Sequence, residues 1–194
     1  METVLGILIG LGLAAACGFR VFVPMLVLSI AAKAGAVSLG SGFAWIGTDG
    51  ALAAFATAAL LEVLGYWVPW IDHILDVAAS PAAVVAGTLV AGSQFADLGP
   101  MLQWTCAIIA GGGIAAAVQA SSVTTRVAST VSTAGLGNPI ISTVHSIGAM
   151  ILSVLAVLAP FLAAACVLLI LATIVVSAWR WRARRGRLSV EASA

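Results

Sequence analysis

VLGILIGLGLAAACGFRVFVPMLVLSIAA, residues 4–32, carries a single charge, Arg20, in an otherwise apolar run. A membrane span needs about 20 residues. The run is therefore too long for one straight span and too short for two ordinary ones. Gly18 and Pro24 flank the arginine and predict a kink or break there. The expected arrangement is a first span, Val4–Phe19, followed by a short re-entrant or interfacial helical piece. A guanidinium at such a position needs a partner, water or a function, because its desolvation in lipid is costly.

The rest of the chain agrees with a bilayer as its solvent. Of 194 residues, 62% are hydrophobic and only 8% charged, and the mean hydropathy is +1.19. A soluble domain carries about 25% charged residues, and no soluble fold of this length hides so much apolar surface. Met1-Glu2-Thr3 lacks a basic leader region, so the first span is expected to stay uncleaved.

Further spans are expected at Ala51–Val68, Ala82–Ala96 and Met101–Ala120. No charge occurs between Val127 and Trp179. As one helix, Pro139–Trp179 would run about 60 Å, twice the hydrocarbon thickness. It must fold back, and Pro160 is the corner, which yields spans five and six. Gly35–Gly50 reads as a loop, and Asp97–Pro100 and Gly135–Pro139 as turns. Ser121–Ala134 is too rich in Ser and Thr to face lipid.

Trp70–Ala79 places Ile71, Ile74, Leu75 and Ala78 on one side and Asp72, His73 and Asp76 on the other. That pattern predicts a short amphipathic helix in the interface, anchored by Trp67 and Trp70. The fold class is thus all-α: a polytopic transmembrane bundle of about six spans with short interfacial or re-entrant helices. Residues 1–180 form a single transmembrane domain, and 181–194 a basic tail. Five of the eight basic residues are Arg180, Arg182, Arg184, Arg185 and Arg187, which puts the tail in the cytoplasm. Six spans then put the N-terminus there too.

Aligning Arg20 on Arg126 sets Gly6 on Gly112, Gly10 on Ala116 and Ala14 on Ala120. A repeat of halves 1–100 and 101–180, inverted if each holds three spans, is one plan of transporters. The frequency of Gly and Ala here also allows chance matches.

Three charges lie in spans or at their ends: Arg20, Glu62 and Arg126. Gly6, Gly10, Ala14, Cys17 and Arg20 share one helical face; Ala51, Ala54, Ala58, Glu62 and Gly65 share another. Small-residue stripes mark close helix approach, so both charges are expected to look inward, with a direct Arg20–Glu62 contact. Such a contact is either a buried ion pair that orients two helices or a charged constriction on a solute path. Asp72, His73 and Asp76 are a sparse candidate cation site or simply a wet helix face. Asn138, Ser142 and His145 are the polar groups of a neutral span; His145 is either a proton relay or a hydrogen-bonded core histidine.

Other chemistry finds no support. Cys17, Cys106 and Cys166 have no metal or disulfide spacing and read as small packing residues. Gly111-Gly112-Gly113 lacks the Lys-Ser/Thr of a phosphate loop and points to helix packing. No nucleophile–base set is present, so neither an enzyme nor a cofactor is expected. The basic tail is a topology signal rather than a nucleic-acid site. The expected partners are the lipid bilayer and a homo-oligomeric or other membrane partner.

Gly18-Phe19-Arg20, Glu62 with Pro69-x-x-Asp72-x-x-x-Asp76, Ala86-Gly87, and Arg126 with Gly137-Asn138-Pro139 and Ser142 together resemble a bacterial membrane family, domain of unknown function 4126. The likeness spans most of residues 5–150. Similar proteins often carry an acidic pair shortly after Asn-Pro-x-x-Ser, where this chain has Val144, His145 and Ser146. The resemblance implies an integral membrane protein with shared polar positions and supplies no activity. The functional expectation is a small transporter or channel for ions or small solutes, or alternatively a non-transporting component that stabilises or recruits a partner protein.

Overall fold

A computed structural model describes residues 1–68 and 71–191, with the side chains of 72, 73 and 183–191 excepted. All its regular elements are helical. They are α1 (Glu2–Cys17), α2 (Phe22–Lys33), α3 (Asp49–Gly65), α4 (Ile71–Gln94), α5 (Pro100–Cys106), α6 (Gly113–Thr133), α7 (Asn138–Leu158) and α8 (Pro160–Glu191), with short 3-10 turns before α3 and α5. Ala107–Gly112 joins α5 to α6 as one π-helical stretch.

Local chemistry sets the boundaries. The Thr48 hydroxyl caps α3 by accepting from Ala51 N at 3.2 Å. Gly99 at φ 77° precedes Pro100, the first residue of α5. Ala134 and Gly135 turn the chain through positive φ before Asn138 opens α7. Pro160 opens α8 directly after the break at Ala159, as its missing N–H demands.

Four helices are long and apolar enough to cross a membrane: Ile74–Gln94, Pro100–Thr133, Asn138–Leu158 and Pro160–Arg182. A fifth results if Ser41–Gly47 and Asp49–Gly65, bent by 63°, are one broken span. The side-chain distribution is that of a membrane-embedded protein. Leu60, Leu61 and Leu64 are 55–63% exposed around a Glu62 that is 6% exposed. Ile74, Ile109, Ile140, Leu168 and Leu169 likewise turn outward while Arg20 and Arg126 turn in.

The first two helices meet at the expected break around Arg20. The start of α1 meets the end of α4: Thr3 Oγ1 donates to Asp97 Oδ2 at 3.0 Å, and Gly6 packs on the Gln94 carbonyl. The loop after α2 returns to the same place, where Gly40 N donates to Ser93 O at 3.0 Å. So α1 and α2 form a hairpin that enters and leaves at one end of the bundle, with Arg20 at its tip. We refer to these as the loop end and the tip end. The helices α3, α4, α5–α6, α7 and α8 then alternate in direction.

Several expectations are corrected by this topology. Length and composition give four to five candidate spans among the described residues, with α1 and α2 as shorter apolar helices. Trp70–Ala79 is no separate interfacial helix: Ile71–Gln94 is continuous through Pro81. Of its proposed wet face, the Asp72 and His73 side chains and Trp70 lie outside the described residues, and Asp76 is buried. Ser121–Ala134 remains helical to Thr133 because its hydroxyls bond back one turn, as Thr124 to Ala120 O and Thr130 to Arg126 O do. Since α6 runs unbroken through Arg126, the break at Arg20 is not repeated there.

The small-residue stripe of α1 packs as expected. Gly10 and Gly12 lie against α4 and α7, and a Cβ at Gly18 would come 2.5 Å from Val118 Cβ and 2.7 Å from Ala115 O of α6. The stripe of α3 does not: only Ala59 and Glu62 of that helix are buried, and Ala54 is exposed.

Candidate functional site: the hairpin tip

Breaking the α1–α2 helix leaves backbone groups that must be satisfied in a water-poor interior. At the amino end of α2 the Glu62 carboxylate accepts from Val21 N at 2.8 Å and from Phe22 N at 3.0 Å. A carboxylate at a helix amino terminus also meets the positive end of the helix dipole. On the other side of the break, Ser122 Oγ donates to the Gly18 carbonyl at 3.3 Å. Thus α3 and α6 hold the tip through polar contacts.

Arg20 itself turns to α7. Nε donates to Ser146 Oγ at 2.9 Å, and Nη2 donates to the Ser142 carbonyl at 2.9 Å and to the Ser142 hydroxyl. Its guanidinium carbon lies 3.9 Å from the Tyr66 ring centroid, a stacking worth about 0.5–2 kcal/mol. The expected direct Arg20–Glu62 ion pair is absent. Glu62 spends its two oxygens on backbone N–H groups, and Arg20 spends two nitrogens on serines.

Arg126 approaches the same tyrosine from α6, with its guanidinium carbon 4.7 Å from the ring centroid. Its counter-charge is Asp76 of α4. Nε donates to Oδ2 at 3.0 Å and Nη2 to Oδ1, a two-point pair. The remaining nitrogen, Nη1, is 3.4 Å from His145 Nδ1, and the His145 ring packs on Phe19 at a centroid distance of 5.5 Å. Arg20, Glu62, Asp76, Arg126, His145 and Tyr66 are all at least nine-tenths buried. Two cations and two anions thus meet around one aromatic ring, and their formal charges cancel.

The expected site residues sort accordingly. Arg20, Glu62, Arg126, Ser142 and His145 come together, and Asp76 joins them from the supposed cation site. Asn138 is buried at the start of α7, where its Nδ2 donates to Thr130 Oγ1 at 2.9 Å. Tyr66 and Ser146 were not anticipated. Both stand four residues past an identified polar group, Glu62 and Ser142, on the same helical face. Gln119, Ser122, Arg126 and Ser129 form a third such stripe, all buried on α6. Asn138, Ser142, His145 and Ser153 are likewise buried along α7, so two rows of polar side chains lie inside an apolar bundle.

Two buried side-chain nitrogens have no hydrogen-bond partner, Arg20 Nη1 and Gln119 Nε2. A cavity of about 500 Å³ lies elsewhere, at the loop end, bordered by Glu2, Ser38, Gln94 and Asp97. Among the described residues no group of three His, Cys, Asp or Glu side chains is arranged to hold a metal ion.

A family described as Domain of unknown function (DUF4126) matches residues 7–180. The chain belongs to that family. The match takes in the whole tip cluster and every crossing helix. No curated protein and no solved structure matches the chain.

Proposed function

We propose that this DUF4126 protein is a small, non-enzymatic membrane transporter or channel-like protein whose solute path passes the buried polar residues of α6 and α7 at the hairpin tip. The observation that carries the reading is the fully buried Arg20 at the tip of a re-entrant helical hairpin. Non-helical backbone at membrane depth is tolerated only inside protein or beside a solute cavity, and such helix breaks are where transporters put their binding groups. Positive charge on the far end of α8 supports a cytoplasmic tip end, in a bacterial inner membrane. Glu2, Asp49 and Asp97 then face outward with Lys33, in keeping with the same rule.

A second reading has an observation of its own. The four charges at the tip cancel and nearly all their hydrogen-bonding capacity is used, as in a cluster that only fixes helix positions. Under that reading the protein stabilises or recruits a membrane partner, which includes a second copy of itself. Flux of ions and small solutes into proteoliposomes separates the two. Transport predicts permeation by the wild type that falls at least tenfold in Arg20→Ala. Absence of permeation by any solute would overturn it in favour of the partner role.

A further inference from the structure

We propose that the hairpin tip binds a small monovalent anion, of halide or nitrate size, on Arg20 Nη1. This names the ligand class of the path described above; its purpose rests on that reading, but the binding does not.

Among the described residues Arg20 is the one buried cation without an ion pair. Lys33 has Asp49 and Arg126 has Asp76. Glu62 is turned to the backbone of α2, and the neighbouring partners of Arg20 are serine oxygens and an aromatic face, none of them anionic. The residue is 1% exposed, and Nη1 is left without any acceptor. A buried donor on a charged group left unmade is costly, so an acceptor belongs there.

The geometry restricts that acceptor. A guanidinium grips phosphate or carboxylate through two nitrogens in a fork. Here Nε and both hydrogens of Nη2 are already taken by Ser146 and Ser142, and Tyr66 covers one face. One nitrogen remains, the buried Nη1, which suits a single-point contact. Charge sets the same limit. With two cations and two anions already cancelling, a divalent anion would leave two uncompensated charges in a low-dielectric interior, against one for a monovalent anion. The acid-rimmed cavity lies away from Arg20, at the loop end.

The test is chloride-35 line broadening by the purified full chain in detergent micelles, with gluconate holding ionic strength constant. The wild type should broaden the chloride line saturably. Nitrate should reverse the broadening and equimolar sulfate should not. Arg20→Gln should reduce the effect at least fivefold, whereas Arg180→Gln with Arg182→Gln should leave it. If Arg20→Gln does not fold, Arg20→Lys replaces it, since an ammonium cannot hold both serines and still offer the free donor; a fivefold loss is again expected. No saturable broadening by the wild type, equal displacement by sulfate, or a folded position-20 variant that broadens like the wild type would each overturn the proposal. Anion binding without any flux in vesicles sinks the transport reading alone; flux indifferent to halide and nitrate sinks the anion site alone.

Discussion

Arg126 and Asp76 spend a two-point contact on each other inside the bundle, and removing either strands a charge. Asp76→Ala and Arg126→Ala should each cost about 3–5 kcal/mol. The double variant should cost less than the sum by more than about 2 kcal/mol, measured by denaturant unfolding in detergent. The same cycle on Arg20 and Glu62 should show much weaker coupling, because each is bonded to a third party. Equal couplings in the two cycles would contradict the assignment of partners. At this scale the sequence revealed which charges turn inward, since Glu62 and Arg20 each share a helical face with small residues. It did not reveal who meets whom. Helical periodicity fixes a direction around an axis, whereas contact also needs depth along it, and that depends on where each helix starts.

Helices in this protein are held at close range by glycines whose role the structure separates. A Cβ at Gly111 would stand 2.4 Å from Ala91 Cβ and 2.7 Å from the Gly87 carbonyl, whereas one at Gly113 would meet nothing within 4 Å. Gly111→Ala should therefore destabilise by about 1–3 kcal/mol through overpacking of α4 on the π-helical stretch. Gly113→Ala should be neutral or gain up to about 1 kcal/mol of helix preference. Thermal unfolding of both variants in one detergent checks the contrast, and a shared direction of change would refute it. Much at this scale was legible: the break at Arg20, the turn before Pro100, and the corner at Pro160 all follow from Gly and Pro placement. The start of Ile71–Gln94 reads as an interfacial helix because its amphipathic pattern fits a polar side turned to water as well as one turned to protein. Inside a membrane bundle the polar side faces the protein and the apolar side faces lipid, so Asp76 points to the core and Ile74 outward. The π-helical stretch had no sequence signal beyond the glycines that tolerate it.

The α1–α2 hairpin returns to the end of the bundle it entered, where Thr3 meets Asp97 and Gly40 meets Ser93. In a background without Cys17, Cys106 and Cys166, Glu2→Cys and Ala36→Cys should react with a membrane-impermeant thiol reagent from the same side. Leu136→Cys, 84% exposed in the wild type at the α6–α7 turn, should react from the other. Labelling of positions 2 and 36 from opposite sides would restore the six-span arrangement. Composition made the membrane class and the all-helical bundle plain, but it left the number of crossings open for a physical reason. Length and hydropathy cannot distinguish a helix that crosses from two shorter ones that double back, because both bury the same apolar surface.

Tyr66 is the chain's single tyrosine, and it stands between the two guanidinium groups. Biosynthetic replacement by 3-fluorotyrosine would therefore install one fluorine nucleus in the whole protein, at the centre of the cluster. Its resonance would need no assignment, and any occupant, protonation or rearrangement of the neighbourhood would be read from one spectral line.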